Sequence, residues 1–277
     1  MNKRELVEYF ESTGFRPKHR LGQNFLIDPN QTRKLVDWAK LEPDDTVVEV
    51  GPGMGMITRE ILSRGAKLIA VERDTTLKSY LESALFPQYP DSLTLINGDA
   101  VDQPLGSAKH PETIKVIANP PFSITGPWLA AILDLGLPKR FSLLLQKEAV
   151  DRITAQAGSK LFGVLAIRLE AAYEVAHTHP VPPSCFYPAP QVESRIVVFR
   201  RREVPYRFTP TILELVQKLF TQRRKQIGAR LKKAVSPEVL TRWQQILESH
   251  NLNLQSRPEQ IPTQVWMELD RATIEES

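Results

Sequence analysis

The chain has 277 residues, 42% hydrophobic and 25% charged, with a formal net charge of +4, which is ordinary for a soluble globular protein of one large domain or one domain plus a smaller one. No apolar run reaches membrane-spanning length, and the first residues, MNKRELVEYFESTG, show mixed charge without the apolar core of a secretory signal. Cys185 is the only cysteine, so an internal disulfide is excluded, which agrees with a reducing cytoplasm; with no spanning run either, the expectation is a cytoplasmic protein with no membrane contact.

In chain order, TVVEV (46–50) reads as a buried strand and is followed by an amphipathic stretch at 56–64. KLIAV (67–71) is a second strand, 75–85 a second helix, and LTLI (93–96), IKVIA (114–118) and FSLLL (141–145) are further strands. Strand and helix in alternation imply an α/β fold with a parallel sheet covered on both faces. FGVLAIRLEAAYEVAH (162–177) and SRIVVFR (194–200) read as two long strands closing the edge of that sheet. Between them PVPPSCFYPAP has five prolines in eleven residues and reads as a rigid loop. After about residue 206 the pattern turns helical. TPTILELVQKLFTQ carries Ile212, Leu215, Val216 and Leu219 at helical spacing, SPEVLTRWQQILESH has Ser236 as N-cap and Pro237 at the first helical position, and RPEQIPTQVWMELDRA suggests one more helix. A division into residues 1–203 and a small all-helical domain at 204–277 follows.

Four strand ends carry the chemistry. VVEVGPGMGMITREIL places Gly51, Gly53 and Gly55 between a strand and a helix, where glycine lets backbone approach a ligand and frees N–H groups at a helix start. Glu72 ends the next strand, 21 residues after Gly51, a distance at which an acid can accept both hydroxyls of a ribose. Asp99 follows the third strand, where an acid can meet an adenine amino group. The fourth strand runs into Asn119-Pro120-Pro121-Phe122. Two consecutive prolines delete two donors and fix two φ angles, so the strand stops and a rigid turn presents an amide before it and a ring after it. The lone pair of an exocyclic adenine amino group is delocalised into the ring. Acceptors on its two N–H bonds, the Asn119 side-chain oxygen and the Pro120 carbonyl, favour a more tetrahedral nitrogen, and Phe122 offers a face for stacking the base. A sulfonium methyl donor needs neither a strong base nor a metal. His177, His179 and Cys185 show no metal-ligand spacing, and no Ser–His–Asp arrangement is identifiable.

Residues 222–233, QRRKQIGARLKK, hold Arg223, Arg224, Lys225, Arg230, Lys232 and Lys233 with no acid, and RPKHR (16–20) is a second basic run. Either a solvated helix face or phosphate binding accounts for such clusters.

The blocks PKHRLGQNFL (17–26), VVEVGPGMGMIT, AVERD, NGDA, NPPFSIT, LLLQKEAVDRITAQAGSKLFG (143–163), CFYPAPQVESRIVVF (185–199), LFTQRRKQIGARLK (219–232) and RPEQI (257–261) resemble those of the S-adenosylmethionine-dependent rRNA adenine N6,N6-dimethyltransferases, over roughly residues 14–265. The resemblance implies a Rossmann-like methyltransferase domain with a mostly parallel seven-stranded sheet and an N-terminal segment covering the cofactor, followed by a helical rRNA-binding domain. It implies S-adenosylmethionine as cofactor, with contacts at Asn24, Leu26, Gly51, Glu72, Asp99 and Asn119 joined by Gly53 of the glycine turn. It implies chemistry at Asn119, Pro120 and Phe122, RNA contacts at Arg223, Arg224, Lys225 and Arg230, and no metal. The substrate it implies is a pair of adjacent adenosines near the 3′ end of small-subunit rRNA in the maturing subunit, modified by a monomeric enzyme. The family usually reads N-L-P-Y or N-L-P-F. Pro120 in place of leucine keeps the carbonyl and removes a side chain and an N–H. An Erm-type enzyme acting on large-subunit rRNA, and an rRNA-binding assembly factor with little catalysis, are the rival readings.

Overall fold

The structure is a computed structural model in which residues 3–18 and 22–274 are described; His19 and Arg20 of the basic run at 16–20 lie outside them. The elements in chain order are α1 (Lys3–Thr13), β1 (Phe25–Leu26), α2 (Pro29–Asp37), β2 (Thr46–Val50), α3 (Met56–Ser63), β3 (Lys67–Glu72), α4 (Thr75–Leu85), β4 (Leu93–Asn97), β5 (Lys115–Ala118), α5 (Thr125–Leu135), β6 (Arg140–Gln146), α6 (Lys147–Ile153), α7 (Val164–Ala172), β7 (Tyr173–Val181), β8 (Phe186–Tyr187), β9 (Ser194–Arg201), α8 (Pro210–Phe220), α9 (Gly228–Ala234), α10 (Pro237–Ser249) and α11 (Thr263–Ile274).

The large sheet has the order β4-β3-β2-β5-β6-β9-β7. β2 pairs in parallel with both β3 and β5, β3 with β4 and β5 with β6, whereas β9 is antiparallel to β6. From β2 the chain builds outward to β4 on one side and then returns to build β5 and β6 on the other, so the strand order reverses between β2 and β5. β5 is buried at every position and β6 at all but its ends, as expected of parallel strands covered on both faces. A second, two-stranded sheet pairs Phe25 with Tyr187 and Leu26 with Phe186, so the proline-rich stretch supplies a short strand as well as a loop.

The chain divides into two compact units, residues 1–150 with 175–201, and 151–174 with 202–277. One break lies close to the expected 203/204 boundary. The other was not anticipated, because 162–177 reads as one long strand. The structure corrects this: Val164–Ala172 is a helix and the strand starts only at Tyr173. Gly163 opens the helix, and Leu165, Ala166, Arg168, Leu169, Glu170, Ala171 and Ala172 are good helix formers, whereas β-branched residues are sparse until the strand. Within the second unit, Phe162, Ala166, Ile167 and Ala171 share a core with Ile212, Leu231, Trp243, Trp266 and Leu269. Asp270, fully buried, accepts from the Tyr206 hydroxyl at 3.0 Å and from the Thr209 N–H and hydroxyl at 2.9 and 2.6 Å. Thr209 in turn caps α8.

Glu49 faces α3 from the middle of the sheet and is wholly buried. Its Oε2 accepts from the Thr58 hydroxyl at 2.7 Å, and its Oε1 has no partner among the described residues. Burial, and to a lesser extent the nearby Glu72 carboxylate, push its pKa up to about 8. Between the ordinary carboxylate range and that value the folded state holds a proton that the unfolded state has released, so stability falls as pH rises and the loss is complete above it. Glu49→Gln keeps the acceptor for Thr58 and removes the titration. Its melting temperature should match the parent's near pH 4 and exceed it at pH 9, by the equivalent of a few kcal/mol at ~1.4 kcal/mol per pKa unit. Parallel thermal melts of the two proteins at both pH values check this.

Candidate active site

A cleft open to solvent lies beyond the carboxyl ends of β2, β3, β4 and β5. This is where an open α/β sheet places a ligand, at the reversal of strand order. Its walls include Asn24, Leu26, Gly51, Gly53, Glu72, Asp99 and Asn119, which brings together all the residues expected to hold a cofactor.

The glycine turn leaves β2 with Gly51, Gly53 and Gly55 at φ of +67°, +58° and +76°. At Gly53 a Cβ would stand 2.9 Å from the Phe25 ring, and at Gly55 it would stand 2.8 Å from Leu81 Cδ2. A side chain at Gly53 would therefore be doubly opposed, by backbone conformation and by the cleft wall.

Glu72 is 6% exposed. Its Oε2 accepts from the Gly53 N–H at 3.2 Å and its Oε1 from the Asp74 N–H at 2.8 Å. Burial raises its pKa, and these backbone donors pull the other way. Asp99 has its Oδ1 on the Val101 N–H at 2.9 Å and its Oδ2 on the Arg73 guanidinium at 2.9 Å. Two acids thus stand over successive strand ends, spaced along one wall.

Asn119 closes the opposite wall. Its Nδ2 donates to the backbone carbonyl of Asn24 at 3.2 Å, and its Oδ1 has no donor among the described residues. The Pro121 carbonyl is taken by the Ile124 N–H at 3.1 Å, while no donor among the described residues reaches the Pro120 carbonyl. Pro120 is buried and Phe122 half-buried at the start of a short 3-10 turn, and neither lines the cleft; Pro121, Ser123 and Ile124 do. The expectation that the whole Asn-Pro-Pro-Phe run opens into the same crevice is corrected accordingly. Of those four residues, Asn119 and Pro121 border the cleft.

In the second unit the four expected RNA contacts differ in what they touch. The Arg223 guanidinium faces Glu259 at 3.3 Å and the carbonyls of Ser159 and Phe162 at 3.4 and 3.3 Å. Arg230 donates to the Lys218 carbonyl. Arg224 and Lys225 are exposed. Among the described residues no group of three His, Cys, Asp or Glu side chains could hold a metal.

Residues 14–266 match the family model described as "Ribosomal RNA adenine dimethylase". This chain belongs to that family. It is 44% identical over 264 residues to a protein of Opitutus terrae named "Ribosomal RNA small subunit methyltransferase A", covering 95% of each chain. A protein of the same name from Synechococcus sp. (strain CC9902) is 32% identical over 94% of this chain and 97% of its own. Among solved structures, a dimethyladenosine transferase from Plasmodium falciparum superposes with a TM-score of 0.69 at 24% identity, covering 87% of this chain and 94% of that one. The 23S rRNA methyltransferase ErmE gives 0.67 at 23%, covering 90% and 99%. These two likenesses establish the methyltransferase fold. Gln23, Arg73 and Ser123 also line the cleft and carry no signal of their own in the sequence. Gln23 and Arg73 sit inside the quoted blocks, beside Asn24 and Glu72, and adjacency was the available signal.

Gly53→Ala should weaken S-adenosylmethionine binding about tenfold or more, the equivalent of ~1.4 kcal/mol. Gly65→Ala is the control, since Gly65 also has positive φ, +77°, with nothing within 4 Å of its Cβ position. It should leave binding unchanged in the same titration calorimetry.

Proposed function

We propose that this enzyme transfers methyl groups from S-adenosylmethionine to N6 of adenosines in small-subunit rRNA, dimethylating two adjacent adenosines near the 3′ end during subunit maturation in the cytoplasm. The observation that carries this reading is the Asn119 carboxamide. It is anchored through its nitrogen, with no donor to its oxygen among the described residues, in the same cleft as the buried Glu72 and the Arg73-paired Asp99.

The cleft fits the cofactor. The glycine turn packs so closely on the Phe25 wall that a Cβ at residue 53 would strike that ring, Glu72 is placed to take ribose hydroxyls, Asp99 to take an adenine amino group, and Leu26 and Ile57 supply apolar wall. Bound there, S-adenosylmethionine supplies an electrophilic methyl group on a sulfonium.

The chain's own residues act on the acceptor. Asn119 Oδ1 and the Pro120 carbonyl accept the two N–H bonds of the target amino group and draw its lone pair out of conjugation. Both are fixed before the substrate arrives, the amide by Asn24 and the carbonyl by two proline rings, so little reorganisation is needed. Phe122 offers its exposed part as a stacking surface for the base, and the carbonyl supplied by Pro120 serves as well as that of a leucine. The names of the curated relatives favour the small subunit, while the likeness to ErmE, at 23% identity, bears on fold alone. We assign RNA contact in the helical unit to Arg224 and Lys225, because Arg223 and Arg230 are occupied within it. No helix among the described residues is long and apolar enough to cross a membrane. The enzyme is read as acting as a monomer.

Asn119→Ala should lower methyl transfer to unmethylated small subunits by roughly 10²–10³, the scale for removing one preorganised hydrogen-bond partner. Near-parental dimethyladenosine by nucleoside mass spectrometry would remove Asn119 from the reaction. Glu72→Ala should weaken S-adenosylmethionine binding by about 1.5–3 kcal/mol.

Arg224→Ala with Lys225→Ala should flatten the slope of log affinity for rRNA against log salt by roughly 0.7–0.9 per lost phosphate contact and leave the melting temperature unchanged. Arg223→Ala should lower the melting temperature, since it strips two carbonyls and Glu259 of their partner. Filter binding across a salt series, with melts of the same proteins, separates the two roles.

A further inference from the structure

The Asn119 carboxamide has two orientations of similar shape, and only one of them presents an acceptor to the target amino group. What selects it is the Asn24 carbonyl, which can be met only by Nδ2. The direction of that carbonyl depends in turn on the residues around it. Downstream, Phe25 and Leu26 are locked into β1 against Tyr187 and Phe186. Upstream, the Gln23 side chain is held at both ends: its Oε1 accepts from the Lys18 N–H at 2.7 Å and its Nε2 donates to Asp74 Oδ2 at 3.3 Å. Asp74 is itself tightly placed. It is 4% exposed, its Oδ1 caps α4 through the Thr76 N–H at 3.0 Å, its Oδ2 also takes the Lys18 ammonium at 2.7 Å, and its N–H donates to Glu72. The Lys18 ion pair holds its pKa below the usual carboxylate range despite burial.

We propose that Gln23 is a positioning residue for Asn119: anchored on Asp74, it fixes the strap Gly22–Asn24 so that the Asn24 carbonyl turns the Asn119 amide oxygen toward the target amino group. The inference rests on the reading of Asn119 given above. It also ties the two halves of the cleft together. Glu72 reaches Asp74 through a backbone hydrogen bond, Asp74 reaches Gln23, and the next residue reaches Asn119, so the ribose side of the site and the amino-group side share one strap of backbone.

The test uses four variants of the full-length enzyme, assayed at saturating S-adenosylmethionine on unmethylated small subunits, with cofactor affinity by calorimetry and a thermal melt for each. Gln23→Glu keeps the acceptor for Lys18 and faces Asp74 with a second carboxylate, which breaks the anchor. Its kcat should fall roughly 10- to 100-fold, the cost of a misplaced reacting group, with the melting temperature close to the parent's. Adding Asp74→Asn restores a donor and an acceptor across the same gap while keeping an oxygen for the α4 cap, and should recover most of the lost kcat. Asn119→Ala is the third variant, and Gln23→Glu added to it should lower kcat no further. The proposal is overturned if Gln23→Glu changes only cofactor affinity with kcat intact, if the exchanged pair is no better than Gln23→Glu alone, or if the two losses simply multiply. An active Asn119→Ala enzyme overturns the reading of the site itself, and this inference with it.

Discussion

The parallel pairing of β2 with β5, Val47 beside Lys115 and Val48 beside Val116, is what the rest of the site depends on. It sets the glycine turn at the end of one strand next to the asparagine at the end of the other. The approach is close: a Cβ on Gly51 would lie 3.3 Å from Pro121 Cδ and 3.6 Å from the Asn119 carbonyl. Below the cleft the same register is pinned by Lys115, a buried residue whose ammonium bonds to Asp45 at 2.6 Å and to the Lys40 carbonyl. A buried cation so placed is costly to leave without its partners, so slippage of β5 against β2 is strongly opposed.

On this frame the acids are arranged by desolvation rather than by surface charge. Glu49 is buried with one oxygen unmatched, Glu72 is buried but met by two backbone N–H groups, and Asp99 is partly exposed with an arginine on it. Three carboxylates near one cleft thus have three different environments. Burial pushes the pKa of Glu49 up to about 8 and raises that of Glu72 as well, with the Asp74 and Gly53 N–H groups pulling the second one back.

Much of the nucleotide-binding half was legible in the sequence because the relevant signals are local. β-branched runs mark the strands, glycines mark the turn, and Glu72, Asp99 and Asn119 stand at strand ends where the alternation of elements puts them. The strand at 46–50 and the helix at 75–85 were placed to the residue. The error at 162–172 arose because apolar residues run through that segment without clear periodicity, and a helix buried on most sides shows none. The pairing of β1 with β8 was illegible since two-residue strands carry no period, and its partners are far apart in sequence. Phe122 and Pro120 could not be separated from Asn119 by reading alone, because which way a turn sends each side chain depends on dihedral angles that composition does not reveal. Arg223 looked like its neighbours in a basic run, and only the fold distinguishes the arginine that bonds to carbonyls from the two cations left in solvent.

The second unit is assembled from two separated pieces of chain, 151–174 and 202–277. On a ribosome making this protein from its N-terminus, the first piece emerges carrying Phe162, Ala166, Ile167 and Ala171 with none of their later partners yet synthesised. The strands β7 and β9, which finish the sheet of the first unit, come next. An apolar helix face therefore waits through the completion of one unit for the remainder of another. For the interval between those two events, the nascent chain has an exposed greasy surface, and a fragment cut to begin at residue 204 would have the complementary one permanently.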